Sequence, residues 1–474
     1  MTERFDAVVV GSGPNGLSAA AHLARAGRSV LVVEAADQIG GGSRTAPLTL
    51  PGFRHDVCSA IHPLGAASPA FAALPLAEHG LEWVHPGHPL AHPRDGAPAV
   101  LAQRSLIATI EGLGPDGPAY RAVIGSIADD WDLTVDSWLG PVVRVPRHPL
   151  ALARFGVKAV RSGAGLARRF PGDAGRALFI GCAAHSIASL RAPFTSAVGL
   201  VLLAAAHRVG WPAARGGSGA IAEALAAVIR SQGGEIRTGV VIRSLADLPP
   251  ARAVLFDTSA AAMSRIADAA LPRRYRRALR RLEPAPGSFK VDWALGGPIP
   301  WADERVAAAG TVHVGGSCRE IAAAEEQVVR GEHPDRPFVL VAQQSAFDET
   351  RAPPGAHTGW GYCHVPTGST VDMTERIEAQ IERFAPGFRD LILARRVHAP
   401  ADLERINANY TGGDISGGAV SARQIIARPV ARPDPYRAGR THLYLCSASA
   451  PPGAGVHGMA GYHAARSALR HSLR

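Results

Sequence analysis

A chain of 474 residues, 47% hydrophobic and 19% charged, is long enough for two or three cores and too apolar for disorder. Its net charge of +10 is carried by arginine, since the only lysines are Lys158 and Lys290; with the abundant glycine and proline this reads as the residue bias of a GC-rich genome and excludes nucleic acid as the expected partner. Cys58, Cys182, Cys318, Cys363 and Cys446 show no CxxC spacing, which argues against a metal site or a disulfide framework and for a reducing cytoplasm.

In chain order, the polar start at residues 1–6 lacks signal-peptide regions and leads at once into a β-branched run, AVVV at 7–10, expected to be a buried parallel strand. Gly11, Ser12, Gly13, Pro14, Asn15 and Gly16 follow, then a helix of small and apolar residues over 17–26 that Gly27 ends. A second strand over 29–33 carries Glu34 at its end, which completes a βαβ unit. Gly11 permits the tight turn, Gly13 lets the backbone approach a pyrophosphate, and Gly16 lets helix and strand pack closely. The phosphates would lie on the helix N-terminus, and Glu34, about twenty residues on, would accept from a ribose.

Gly40, Gly41, Gly42, Ser43 and Arg44 form a second glycine cluster just after the acid. Backbone that can run close to an extended cofactor, with Arg44 adding positive charge, favours FAD over a simple nicotinamide.

The only long apolar stretch in the middle, 197–206, ends at His207-Arg208 and is too short to span a bilayer. Ser218 is the expected N-cap of a helix over 220–230 that Gly233-Gly234 ends. Residues 235–245 read as a strand pair and 253–256 as a buried strand. The regions 76–211 and 260–406 are richer in proline, tryptophan and histidine; within the second, 291–295 and 338–342 look like strands and 375–384 like a helix. Two basic segments, 151–170 and 273–281, are candidates for peripheral membrane contact, the second with six arginines in nine residues.

Near the C-terminus, a buried strand at 443–446 leads through Ser447, Ala448, Ser449 and Ala450 to Gly453, Gly455, Val456, His457 and Gly458. These glycines repeat the GxGxxG spacing, but too little chain follows for a second nucleotide unit. They are expected to open a final helix over 459–473 whose amides could face the pyrimidine edge of a reduced flavin.

These segments, GSGPNG (11–16), IGGGSR with PGFRHD (39–44, 51–56), GWPAARGGSGAIAEAL (210–225), GGEIRTGVVIRSL (233–245), NANYTGGDISGG (407–418) and LYLCSASAPPGAGVHGMAGYHAA (443–465), resemble the phytoene desaturase-like family of FAD-dependent oxidoreductases, in its bacterial branch. The resemblance runs through nearly the whole chain. It implies an α/β fold of the glutathione reductase and amine oxidase type: a Rossmann-type FAD-binding domain assembled from 1–75, 212–259 and 407–474, with a mixed α+β substrate domain from 76–211 and 260–406. It also implies Ile242 at the adenine, Ala448 and Ser449 by the diphosphate or ribityl chain, and Val456-His457 by the isoalloxazine.

An enclosed flavin accepts hydride from a substrate C–H, so the protein has to exclude water and supply at most one base. His457, His185, Tyr362 and His364 are the candidates, with Tyr410 and Asp414 behind them. The leading reading is a desaturase or dehydrogenase of an apolar small or medium molecule, with oxygen or a quinone as acceptor. The rivals are a double-bond isomerase or saturase, an amine oxidase, and a non-catalytic flavin-binding partner. Amine oxidation would need an aromatic cage or an acid, and the sequence shows no obvious aromatic pair.

Overall fold

The structure is a computed structural model that describes residues 4–474; residues 1–3 of the polar start lie outside the described residues. Five parallel strands form the first sheet: β1 (Phe5–Val10), β2 (Val30–Val33), β5 (Glu235–Arg237), β6 (Ala251–Phe256) and β12 (Leu443–Leu445), in the spatial order β12-β6-β1-β2-β5. Helices cover both faces, so β1 and β2 are apolar without alternation; Ala7, Val8, Val9 and Val32 are fully buried. Helix α1 (Pro14–Arg25) starts with proline at its first position, where the missing N–H is not needed. It packs against α4 (Gly219–Ser231) and α9 (Met459–His471).

The second sheet has seven strands: β3 (His88–Arg94), β4 (Ala97–Ala102), β7 (Gly287–Leu295), β8 (Ala309–Val314), β9 (Val339–Ala342), β10 (His357–Val365) and β11 (Ile392–His398), ordered β11-β7-β10-β9-β8-β3-β4. All neighbours are antiparallel except β8 and β3. One face packs Val291, Trp293, Val341 and Cys363 against Ile377 and Ile381 of α7 (Thr374–Phe384). The other face is covered by α2 (Asp173–Ala184) and α3 (Thr195–Arg208), with Phe179, Leu200, Phe338, Leu340 and Tyr362 in one apolar cluster. The 197–206 stretch lies inside α3, and among the described residues no helix is long and apolar enough to cross a membrane.

Two local expectations change. Only Glu235–Arg237 is a strand in the 235–245 segment: Gly239 takes a left-handed φ of +70° and donates to the Ala36 carbonyl, and Val240 donates to that of Glu34. The chain thus folds over the end of β2 and does not pair with itself. Ser218 is in the N-cap position of α4, but its hydroxyl is used elsewhere, donating to the Ser59 carbonyl and pairing with His62 Nε2. Met263, Leu271, Tyr275 and Leu279, beyond residue 259, are buried in the core of the first sheet.

Candidate functional site

The glycine turn is shaped by close approach to the end of β6. A Cβ on Gly11 would lie 2.5 Å from the Asp257 carbonyl, one on Gly13 2.6 Å from Asp257 Oδ2, and one on Gly16 2.3 Å from the Gly11 carbonyl. Asp257 is the residue that sequence reasoning missed here: its Oδ2 accepts from the Gly16 amide at 2.8 Å, so a carboxyl group already occupies part of the α1 N-terminus. Burial, with the Glu34 charge adding to it, raises this carboxyl to about 7 against the pull of the Gly16 and Gly13 amides.

Glu34 ends β2 beside the turn, where Oε2 accepts from the Ser12 amide at 2.8 Å and Oε1 from that of Ala36 at 2.9 Å. The second glycine cluster lies on the first: Gly40 donates to the Ser12 carbonyl, and a Cβ on Gly41 would come within 3.0 Å of Gly13. Ser43 is buried and bonds back to the Gly40 carbonyl. Arg44 braces this loop, donating to the carbonyls of Gly41 at 2.9 Å and Ile406 at 2.7 Å. Pro14 and Asn15 open α1, with Asn15 Oδ1 buried and unpartnered. Ile242 packs against the same core, two residues beyond the Val240–Glu34 bond.

The C-terminal segment closes the cradle from the other side. Ala448 and Ser449 follow β12 and meet the 417–418 turn: Ser449 Oγ donates to the Gly417 carbonyl, and a Cβ on Gly417 would touch Ala448 at 2.8 Å. Gly455 is exposed with φ +123°, and Val456 is buried beside Gly65. His457 is fully buried; its carbonyl accepts from Ser68 Oγ at 2.5 Å and its Nδ1 from the Met459 amide at 3.1 Å. Burial lowers its pKa to about 4, which makes it a neutral ring tied to the start of α9.

Arg428 is a second residue the sequence did not reveal. It is 8% exposed and has no carboxylate partner among the described residues, donating only to the carbonyls of Ser416 and Gly418, with Nε unpartnered. A Cβ on Gly453 would lie 2.8 Å from its Nη1. Burial lowers its pKa to about 10. A buried cation against the C-terminal glycine loop, with the unpartnered Ser18 hydroxyl of α1 as a further donor, suits an anionic dinucleotide.

The helix-covered face of the second sheet holds the remaining candidates. Register places Ser288 opposite His364, Lys290 opposite Tyr362 and Asp292 opposite Trp360, all on one face, with His398 beside Lys290. Lys290 Nζ pairs with Asp292 Oδ2, and both side chains are essentially buried. Asp292 also has His55 Nδ1 and His398 Nε2 at 3.7 Å, and its Oδ1 has no hydrogen-bond partner. Burial raises Asp292 to about 6 although Lys290 opposes the shift, and burial lowers His55 to about 3 and His398 to about 4. Cys58 and Tyr410 both lie against Gly42 of the second glycine loop, where a Cβ would collide with Tyr410 Oη.

His364 Nδ1 meets Glu325 Oε2 at 2.8 Å, and Tyr362 lies between His364 and Trp360 at ring distances of 5.6 and 5.1 Å. His185 reaches the same face through His313, Nε2 to Nε2 at 3.0 Å, and burial lowers its pKa to about 3. The structure therefore gathers His185, Tyr362 and His364 into one layer and leaves His457 in the cradle. Asp414 serves the backbone, accepting from the amides of Ala285 and Ser416. The aromatic pair that the sequence did not show exists: Trp360 and Tyr362, two residues apart on β10.

A family profile described as an NAD(P)-binding Rossmann-like domain matches residues 9–74. Over 98% of its length the chain is 27% identical to pyridine nucleotide-disulfide oxidoreductase domain-containing protein 2 of Mus musculus, covering 93% of that protein. A shorter match, 33% identical over 23% of the chain and 18% of the relative, is to one of the subunits of limonene dehydrogenase from Castellaniella defragrans. Among solved structures, putrescine oxidase bound to putrescine superposes with a TM-score of 0.63 at 18% identity, covering 100% of both chains. The fold is thus that of the amine oxidase-like oxidoreductases.

Proposed function

We propose, from a Rossmann-type nucleotide domain joined to an amine oxidase-like second domain, that the chain is an FAD-dependent oxidoreductase that takes hydride from a C–H bond of an apolar small or medium molecule. The carrying observation is the Lys290–Asp292 pair, buried on the sheet face that meets the glycine cradle and flanked by Trp360 and Tyr362. Gly11 to Gly16, Glu34, Gly41 to Arg44, Ile242, Ala448, Ser449 and Gly455 to His457 would hold the cofactor. Arg428 would answer its negative charge. Bound FAD supplies a hydride acceptor that oxygen or a quinone regenerates.

The residues of the chain then have three tasks. The apolar layer under α2 and α3 excludes water from the reacting carbon. Asp292 Oδ1, unpartnered and part of a carboxyl near 6, receives the proton that leaves with the hydride, and Lys290 holds that carboxylate ionised beforehand. His55 and His398, neutral at 3.7 Å, flank the carboxylate without competing for its proton.

Amine oxidation is the second reading. The Trp360–Tyr362 pair and the Asp292 carboxyl together supply the aromatic wall and the acid that an amine needs.

Anaerobic titration of the purified flavoprotein separates the two. Bleaching of oxidised flavin by a cyclic alkene and not by an aliphatic diamine supports the first reading, and the converse supports the second. Turnover with no acceptor points to isomerisation. A flavin that no donor reduces refutes both oxidoreductase readings.

A further inference from the structure

An open cavity of about 380 Å³ lies on the nucleotide domain between helix α5 (Arg273–Leu279) and helix α8 (Ala422–Ile426). Arg274, Arg277, Arg281 and Arg423 line it, with Ala278, Leu282, Ala427 and Pro429 as its apolar part. The arginines of this segment are sorted by face. Arg276 and Arg280 turn to Asp268, at 2.9 and 3.1 Å. Arg274, Arg277 and Arg281 are exposed and have no ion-pair partner among the described residues. Arg423 anchors the wall, donating to the Arg281 carbonyl and to Glu283 Oε1 at 3.0 Å.

Like charges brought together around a concavity repel, and the carboxylates of this segment are engaged by other arginines, Asp268 by Arg276 and Arg280 and Glu283 by Arg423. An anion from outside would relieve that repulsion. Guanidinium forks match phosphate oxygens in pairs, and three of them around one concavity suit a multiply charged phosphate over a single halide or carboxylate. The volume exceeds what one phosphate fills, since a water occupies about 30 Å³. Leu282, Ala427 and Pro429 give the remainder of such a ligand an apolar rest.

We propose that this cavity binds a phosphate-bearing organic anion, with its phosphate held by Arg274, Arg277 and Arg281 and its carbon portion on the Leu282–Pro429 side. A soluble phosphometabolite and an anionic phospholipid headgroup share this chemistry.

The test uses the purified full chain, inorganic pyrophosphate in calorimetric titration for the soluble source, and phosphatidylglycerol against phosphatidylcholine vesicles in co-sedimentation for the lipid. Two double variants remove equal charge from one segment: R277Q/R281Q in the cavity, and R273Q/R280Q outside it. Binding of either probe should fall about tenfold in the cavity pair and stay within about twofold in the outer pair. Pyrophosphate binding without vesicle binding identifies a soluble ligand, and preferential phosphatidylglycerol binding identifies a headgroup. Equal losses in both pairs would reduce the effect to net charge and overturn the proposal, as would failure of the parent protein to bind either probe. R274Q, an exposed single change, should reproduce a smaller loss if the cavity pair folds poorly.

Discussion

The cradle and the sheet face solve the same problem, placing polar groups where water is scarce, by opposite means. In the cradle, neighbours in sequence are neighbours in space: Gly11, Gly13 and Gly16 lie within one turn, and backbone does the work. On the sheet face, Lys290, Trp360, His398 and His55 come from four separate stretches of chain, and side chains do the work. The first arrangement tolerates almost no added atom, while the second depends on which charges are brought together.

That contrast can be broken most decisively at Gly16. With 2.3 Å between a new Cβ and the Gly11 carbonyl, Gly16→Val should cost on the order of 3 kcal/mol and abolish co-purified flavin, read by absorbance and thermal melting. A variant that keeps its flavin would show the turn to be yielding. Next in size, Lys290→Met should leave the flavin bound but slow its reduction by substrate by about a hundredfold. Since Asp292 lies near 6 and acts ionised, the reduction rate should rise with pH through that value, and removing Lys290, which lowers the pKa, should move the inflection upward. An unmoved inflection would assign the titration elsewhere.

A smaller effect tests the cradle by charge. Asp257 lies near 7 in the fold against 3.8 for an ordinary carboxyl, so the folded protein holds this proton more tightly than the unfolded chain. Its stabilisation is complete below about 3.8 and is lost as pH rises through about 7. Asp257→Asn should therefore flatten the melting temperature across that window and melt above the parent at about pH 8. Smallest of all, Tyr362→Phe removes a hydroxyl and keeps the ring, and should change turnover by about threefold or less in a steady-state assay.

What is legible in the sequence follows the same division. The βαβ unit, the acid at Glu34 and the helix over 459–473 can be read because each is a local pattern with a local cause. Lys290 could have been suspected, as one of two lysines, placed two residues from an aspartate in a strand whose alternate residues are polar. Its partners could not: His55 and His398 are joined to Asp292 only by the packing and pairing of β7. Asp257 was hidden for a related reason. It follows an apolar strand like any loop residue, and only the parallel pairing of β1 with β6 brings it to the glycine turn. The strand pair expected over 235–245 failed where Gly239 let the chain bond to the end of β2, a tertiary contact that periodicity does not contain.

The fit between α9 and α1 has a consequence for how the molecule is made. A Cβ on Gly461 would lie 1.8 Å from the Asn15 carbonyl, and Ser68 and His457, which share a hydrogen bond, are 389 residues apart. Strand β12, at the edge of the first sheet, comes from the same late stretch. On the ribosome, the first sheet must therefore wait through synthesis of the second domain's last segment with the edge of β6 and a surface of α1 uncovered. Of the two domains, the one begun first is the last that can be finished, and a ribosome stalled before residue 443 holds a nascent chain whose first sheet still lacks its edge strand.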